Sequence, residues 1–325
     1  MKRPYFFELF TVANLAAFAL FAHASSPLAN PLLNWLSFSF GLALHALAGI
    51  AVRASIAKLR GDRTYVAIIR KPAWLLDTLR LVLAGGLVVV TYGWIKLVVP
   101  VYHPTRFDQQ LWDLDQTLGL GFSPNILLLD LFGRPLFLHA IDWLYANVFF
   151  VSSMIAFAYF LSEPSRRVRI AFANGNAVLW IAGAWLYLLV PSVGPAYGFP
   201  DLWLAHEAAL QRTQNFQALL MRNYQNVLRA ASGQRPTAPV RIIFGIGAFP
   251  SLHVAFQTYV FFWMRRIWTS GEVLFALFVV TIFIGSMVTG WHYMIDGLAG
   301  AALAFACYAC AWRAARLSRW QQLRH

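Results

Sequence analysis

Residues 272–312 read EVLFALFVVTIFIGSMVTGWHYMIDGLAGAALAFACYACAW, two apolar stretches joined by the polar break Gly290–Asp296. Each stretch is close to the roughly 20 residues that an α-helix needs to cross a bilayer. A histidine, His292, and a carboxylate, Asp296, stand at the start of the second stretch. Because ionisable groups beside hydrocarbon are costly, the pair marks a candidate functional site.

Apolar stretches of this kind recur along the whole chain. Hydrophobic residues make up 59% of the sequence and charged residues 12%, against about 45–50% and about 25% in globular domains. The mean hydropathy is +0.58. We therefore predict an all-α polytopic membrane protein. Its transmembrane helices, about eight in number, are expected at 6–22, 28–51, 73–101, 136–161, 170–191, 249–264, 272–290 and 292–312.

The charge of the chain indicates its orientation. The net charge is +13, and most lysines and arginines form short runs between the predicted spans. If eight spans alternate, every run falls on one side, and the positive-inside rule makes that side and both termini cytoplasmic. A nucleic-acid partner would instead require basic residues with aromatics on one exposed face, so we exclude it. The runs are Lys2–Arg3, Arg53–Lys71, Arg166–Arg169, Arg265–Arg266 and Arg313–Arg324.

The spans divide the chain into three parts. Residues 1–72 are expected to form two N-terminal transmembrane helices and a basic cytoplasmic loop, and residues 313–325 a basic cytoplasmic tail. Residues 73–312 are expected to form a six-helix catalytic core with long outer loops at 102–135 and 192–247. Cys307 and Cys310, in the last span, are interpreted as packing residues, because a zinc site needs more ligands than two.

The two outer loops each contain a predicted helix. In the first loop, apolar residues at helical spacing predict an amphipathic helix at the membrane interface; they are Phe107, Leu111, Leu114 and Leu118. Asp108, Asp113 and Asp115 could bind a metal there, but a solvated helix face is the favoured interpretation. The second loop contains a surface helix at about 203–230 and is rich in arginine, which would attract an anionic lipid headgroup.

Three distant segments meet at the outer ends of the predicted spans: 191–197, 247–253 and 290–296. In the last of them, His292 and Asp296 are four residues apart and so share a helix face. A carboxylate that fixes one ring nitrogen as a donor leaves the other free to attack phosphorus. A second histidine, His253, can give a proton to the leaving oxygen. The pattern predicts phosphoryl transfer through a phosphohistidine, although a purely structural His–Asp pair remains open.

The segment around His253 has features that suit a phosphate. Pro250 and Ser251 are typical of a helix start, where free N–H groups can hold an anion. Ser251 adds a hydroxyl, and Gly247 allows close approach of the backbone. We take Ser251 and Gly247 as candidate phosphate-binding residues.

These motifs resemble those of a known family. Pro250-Ser251-Leu252-His253 and His292-x-x-x-Asp296 are similar to the second and third signatures of the type-2 phosphatidic acid phosphatase superfamily. Gly247–His253 together with His292-Tyr293-x-x-Asp296 most resembles the inositol phosphorylceramide synthase branch. The resemblance covers about 73–312. It implies that His292 is the nucleophile, Asp296 its orienting partner and His253 the general acid and later base, with no metal and no cofactor.

The sequence also departs from the family pattern. The hydrolase branch has Ser-Arg where this chain has Gly285-Ser286, and the Lys and Arg-Pro of the first signature are replaced by the segment Pro191–Tyr197. We count Tyr197 among the substrate-binding candidates, and Arg241, Arg222 or Lys96 could restore the missing positive charge. A phosphomonoester carries nearly two charges and a phosphodiester one, so fewer cations suit a diester.

These inferences combine into one expected function. A phospholipid donor loses its phosphate-linked headgroup to the hydroxyl of an acceptor lipid, such as a sphingolipid, at the periplasmic or outer face of a bacterial inner membrane. With water as acceptor, the same site would make the protein a lipid phosphate phosphatase. A third hypothesis is a non-catalytic lipid-binding or transport protein.

Overall fold

The chain is a bundle of α-helices. The computed structural model describes residues 3–22 and 30–322, and side chains as far as residue 315. No β-strand occurs in these two stretches, which confirms the all-α fold class. The chain ends predicted to be cytoplasmic, residues 1–2 and 323–325, and the side chains of Arg316 and Arg319 lie outside what is described.

The helices are α1 Phe6–Ala22, α2 Pro31–Leu59, α3 Thr64–Ile69, α4 Pro72–Tyr102, α5 Asp108–Leu118, α6 Pro124–Leu131, α7 Pro135–Ser162, α8 Arg166–Leu189, α9 Pro195–Gly198, α10 Gln211–Ala231, α11 Leu252–Ile267, α12 Glu272–Val288 and α13 Met294–Gln322.

Six of the eight predicted spans coincide with helical stretches long and apolar enough to cross a membrane: α2, α4, α7, α8, α13 and the 20-residue stretch Thr269–Val288, which ends with α12. The chain is thus a multi-pass integral membrane protein. The other two predicted spans are shorter helices. The first, α1, has 17 residues. The second, α11, has 16 residues, about 24 Å at the α-helical rise.

The shortness of α11 fits its place in the centre of the bundle. It packs against α7, α8, α12 and α13, and most of its residues are buried. Small residues bring its neighbours close: a Cβ on Gly300 of α13 would lie 2.3 Å from the Ser251 carbonyl oxygen, and one on Gly175 of α8 would lie 2.3 Å from the Tyr259 hydroxyl. Because protein surrounds it, α11 does not have to match the apolar length that lipid requires.

The bundle has two chemically distinct ends. At the basic end, Arg166 of α8 donates to Asp77 of α4, which also accepts from the Tyr5 hydroxyl. Arg53 near the end of α2 pairs with Glu163 at 2.7 Å just after α7. At the opposite end, which we call the site end, α11 and α13 start side by side, since the Ser251 amide donates to the Asp296 carbonyl. Antiparallel connections therefore collect the predicted catalytic segments at one end.

Candidate active site

His292 lies in the short loop Thr289–Tyr293, between α12 and α13. Gly290 in this loop has φ of 72°, in the left-handed region, and a Cβ there would lie 2.6 Å from the Ala196 methyl carbon. The Ala196 amide donates to the Gly290 carbonyl at 2.9 Å. The turn therefore needs glycine both for its conformation and for its contact with the segment after α8.

Side chains from the segments 102–135 and 192–247 bind the carbonyl groups of this turn. Asn125 of α6 donates to the carbonyls of Met287 and His292, at 3.0 and 2.9 Å. Two further carbonyls, those of residues 288 and 289, accept from the Trp203 indole and the Gln217 amide. Because buried backbone acceptors are costly to leave unpaired, these bonds fix the turn that carries His292.

Two aspartates of α5 hold the start of α13. Asp115 accepts from the amides of Met294 and Ile295 at 2.5 and 2.8 Å. Asp108 accepts from the Tyr293 hydroxyl and the Gly194 amide, both at 2.9 Å.

The favoured solvated-face interpretation was therefore wrong for two of the three aspartates. Asp108 and Asp115 are buried, because they satisfy N–H and O–H groups of the site, and Asp113 alone of the three is exposed. Among the described residues, 3–22 and 30–322, no group of three or more His, Cys, Asp or Glu side chains is placed to hold a metal ion.

His292 and Asp296 form a buried pair. The His292 Nδ1 atom lies 3.3 Å from Asp296 Oδ2, and the two side chains are 4% and 0% exposed. Asp296 Oδ2 also accepts from the Tyr293 amide at 2.9 Å. The carboxylate thus both caps the first turn of α13 and faces the imidazole, which favours a proton on Nδ1.

The ionisation of His292 suits a nucleophile. Burial lowers the pKa of the His292 imidazole, and the positive charge of Lys96 lowers it further, while the backbone of Ala248 acts in the opposite direction. The imidazole is therefore neutral near pH 7. A neutral ring with its proton on Nδ1 has a free lone pair on Nε2.

His253 faces the same space. Its ring centroid lies 5.9 Å from that of His292 and 4.3 Å from that of Phe149. It is the second residue of α11, whose N-cap is Ser251, with the Ser251 hydroxyl accepting from the Val254 amide at 3.4 Å. The helix start thus aims one histidine at the other across a common space.

That space is a cavity of about 380 Å³. Residues of α4, α7, α10 and the segments around the histidines line it, and most of them are apolar or aromatic. The polar and charged members are Tyr92, Lys96, Tyr145, Arg212, Thr213, His253 and His292.

The structure brings together four of the predicted site residues at the cavity: Lys96, Gly247, His253 and His292. Asp296 lies behind His292. Gly247 has a packing role as well, because a Cβ there would lie 2.9 Å from the ring of Tyr187.

Four predicted substrate-binding residues do not line the cavity, each for a local reason. Ser251 is fully buried and its hydroxyl serves as the α11 N-cap. The Tyr197 hydroxyl donates to the Gln217 carbonyl at 2.8 Å. The Arg241 guanidinium lies 5.6 Å from the centroid of the Phe244 ring. Arg222 is exposed, six residues after the cavity-lining Phe216 and so on another face of α10.

Sequence reasoning missed Arg212 and the residues that hold the turn. Arg212, Phe216 and Leu220 are four residues apart on α10 and line the cavity together. This spacing was visible within the predicted surface helix. The roles of Asn125 and Gln217 had no comparable signal, since single amides on loops form no pattern.

Replacing Asp115 with asparagine is expected to weaken the pH dependence of stability. Burial raises the pKa of Asp115 to about 6, above the roughly 3.9 of an unfolded chain. The Asp115 carboxyl therefore stays protonated to a higher pH in the folded state than in the unfolded state. Its contribution to stability is full below about pH 4 and is lost as the pH rises through 6.

Thermal unfolding in detergent at pH 4.5 and pH 7 measures this difference. The wild type should lose more stability between the two pH values than Asp115→Asn does. The matched control is Asp113→Asn, at an exposed position of the same helix. Equal pH dependence in wild type and Asp115→Asn would contradict the prediction.

Comparison with known proteins identifies the family of the chain. The model of the PAP2 superfamily matches residues 109–310, a stretch that runs from α5 to α13 and includes both histidines and Asp296. No curated protein and no solved structure matches the chain. With well over half of its length matched, the chain belongs to the PAP2 superfamily, a membership that supports a phosphatase-type enzyme.

Proposed function

We propose that this protein moves a phosphate-linked headgroup from a phospholipid to the hydroxyl of an acceptor lipid. The observation that carries the proposal is the cavity in which His253 and His292 meet. At about 380 Å³ it has room for a headgroup as well as a phosphate. Its walls are largely apolar, as expected for a site that takes its substrates from a membrane.

The first step forms a covalent intermediate on His292. The lone pair of its Nε2 attacks the phosphorus of the donor, and the bond from phosphorus to the glycerol oxygen breaks. His253 enters this step protonated, and the glycerol oxygen takes that proton and leaves as the hydroxyl of a diacylglycerol. Asp296, beside Nδ1, stabilises the positive charge that develops on the ring.

The second step reverses these roles. His253, now neutral, accepts the proton of the acceptor hydroxyl, and the acceptor oxygen attacks phosphorus. The bond between phosphorus and His292 Nε2 breaks, and the headgroup phosphate is now esterified to the acceptor. Both histidines return to their starting states, so the cycle needs no other reactant.

The charge beside the two histidines favours a diester donor. Near the histidines, Lys96 lies 5.1 Å from the centroid of the Tyr187 ring, and its field reaches His292. Ser286, at the position where the hydrolase branch has arginine, is 1% exposed and donates to the Phe283 carbonyl. One cation at the histidines matches the single charge of a phosphodiester better than the nearly double charge of a monoester. This agrees with the resemblance to the inositol phosphorylceramide synthase branch, in which the acceptor is a sphingolipid.

We further propose that the site end faces the periplasm of a bacterial inner membrane. The helix termini with Arg53, Arg166 and Arg265 belong to the basic end, opposite His292. The positive-inside rule would place that end in the cytoplasm.

A labelled donor decides between transfer and hydrolysis. Purified protein is incubated in detergent with phospholipid labelled in the headgroup, with and without a hydroxylated acceptor lipid. We expect the label to move to the acceptor and little water-soluble product to appear. Water-soluble headgroup phosphate as the main product would establish hydrolysis, and binding of lipid without turnover would establish the non-catalytic hypothesis. Free phosphate released from phosphatidic acid at a higher rate than transfer would overturn the diester argument.

A further inference from the structure

The cavity contains a second cation that the catalytic steps do not use. Arg212 lies in the first turn of α10 and lines the cavity together with Thr213, Phe216 and Leu220 of the same helix. Phe216 lies close to the turn that carries His292, since its ring centroid is 5.9 Å from that of Trp291. One face of α10 thus forms a wall of the cavity, contributed by a different element from the one that carries Lys96.

The start of α10 is fixed in place by α7. Asp142 accepts from the Arg212 amide and the Thr213 amide, both at 2.9 Å, and from the Thr213 hydroxyl at 2.6 Å. In these three hydrogen bonds the Asp142 carboxylate accepts from two backbone amides and the Thr213 hydroxyl, and none of them involves the Arg212 guanidinium. No hydrogen bond or ion pair of the Arg212 guanidinium to another described residue is present, so its donors are available to a ligand.

The charged side chains that line the cavity are positive, apart from the titratable histidines. Lys96 and Arg212 line the cavity, and no aspartate or glutamate does so among the residues that the structure describes. An ammonium group placed in this cavity would meet two cations and no carboxylate, whereas hydroxyl and anionic oxygens can accept from the guanidinium.

We infer that Arg212 binds the headgroup of the donor. It thereby selects headgroups bearing hydroxyl or anionic oxygens over those bearing an ammonium group. The inference rests on the proposed function and names its substrate class. With Lys96 near the reacting phosphate, Arg212 binds the part of the headgroup distant from phosphorus. A phosphomonoester has no such part and gains nothing from Arg212.

The test compares donor lipids in wild type, Arg212→Gln and Arg212→Glu. The donors are phosphatidylglycerol and phosphatidylinositol on one side and phosphatidylcholine and phosphatidylethanolamine on the other. We expect the wild type to prefer the first pair. Arg212→Gln should lower kcat/KM for that pair by about tenfold, the size of a charge-assisted hydrogen bond, and leave the second pair within about twofold. Arg212→Glu should shift the preference further towards the ammonium headgroups.

Arg229 provides the control, because it is an exposed arginine of the same helix that does not line the cavity. Arg229→Gln and Arg229→Glu should leave the donor preference unchanged, which separates a local effect from the net charge of the helix. An unchanged donor preference in both Arg212 variants would overturn the inference, as would a wild-type preference for ammonium headgroups.

A binding measurement separates this inference from the proposed function. Thermal stabilisation of the His292→Ala protein by each donor lipid needs no turnover. If the wild type turns over no lipid, but binding still favours the hydroxyl headgroups in an Arg212-dependent manner, the proposed function fails and the headgroup site stands. If transfer occurs, but neither binding nor kcat/KM depends on Arg212, the headgroup site alone fails.

Discussion

Replacing His292 with alanine is expected to lower turnover by about 10⁴-fold or more. The imidazole is the nucleophile of the proposed first step, and no other described side chain of the cavity combines a neutral nitrogen with an adjacent carboxylate. Removal of a catalytic nucleophile leaves only the rate that binding and electrostatic stabilisation provide. Headgroup transfer by the purified variant, measured alongside donor binding, checks the prediction.

The matched control is His139→Ala, at an exposed position near the start of α7. It should keep full activity and the same melting temperature. A His292→Ala protein that folds, binds donor and retains more than a few per cent of wild-type turnover would show that another group attacks phosphorus.

Replacing Asp296 with asparagine is expected to lower kcat by about 10²- to 10⁴-fold with little change in KM. Asparagine can keep the cap on the Tyr293 amide through its carbonyl oxygen, so the start of α13 should survive. What it loses is the negative charge beside His292 Nδ1, which fixes the tautomer and stabilises the charged ring in the transition state.

Steady-state kinetics and thermal unfolding of Asp296→Asn together test this role. A fall in kcat with an unchanged melting temperature supports orientation and charge stabilisation by Asp296. Asp113→Asn, exposed on α5, should change neither quantity. A fall in melting temperature that accounts for the lost activity, or an unchanged kcat, would reduce Asp296 to a helix cap.

The fold was predictable because membrane-spanning helices are encoded locally. Six predicted spans coincide with long apolar helices, since about 20 apolar residues in sequence are sufficient for the prediction. The prediction of α11 as a full span depended on apolarity alone and could not show that protein surrounds this helix. Its 16 residues can form the centre of the bundle because neighbouring helices, rather than lipid, cover its apolar surface.

The predicted site was less complete, and the difference lies in pairing across the chain. His253 and His292 could be placed together because both begin helices at the same end. The roles of Asp108 and Asp115 could not be predicted, because their partners lie about 180 residues away in sequence; these partners are Tyr293, Met294 and Ile295. Polar residues at helical spacing predicted a solvated face, whereas the structure buries two of them as acceptors.

The choice among candidate cations failed for a similar reason. Arg222, Arg241 and Lys96 were equally plausible from the sequence, which does not specify the rotation of α10 about its axis. The structure turns Arg212 to the cavity and Arg222 away from it, because the face of α10 that carries Phe216 and Leu220 is the one packed towards the site.

The mass of the adduct trapped on His292 tests the central claim most directly. The protein is mixed with a phospholipid donor in the absence of acceptor, quenched under conditions that preserve phosphoramidates, digested and examined by mass spectrometry. The account predicts that the peptide containing His292 carries phosphate together with the headgroup, and that His292→Ala yields no such adduct. An adduct of phosphate alone, or an adduct on any other residue, would contradict transfer of a phosphodiester headgroup through His292.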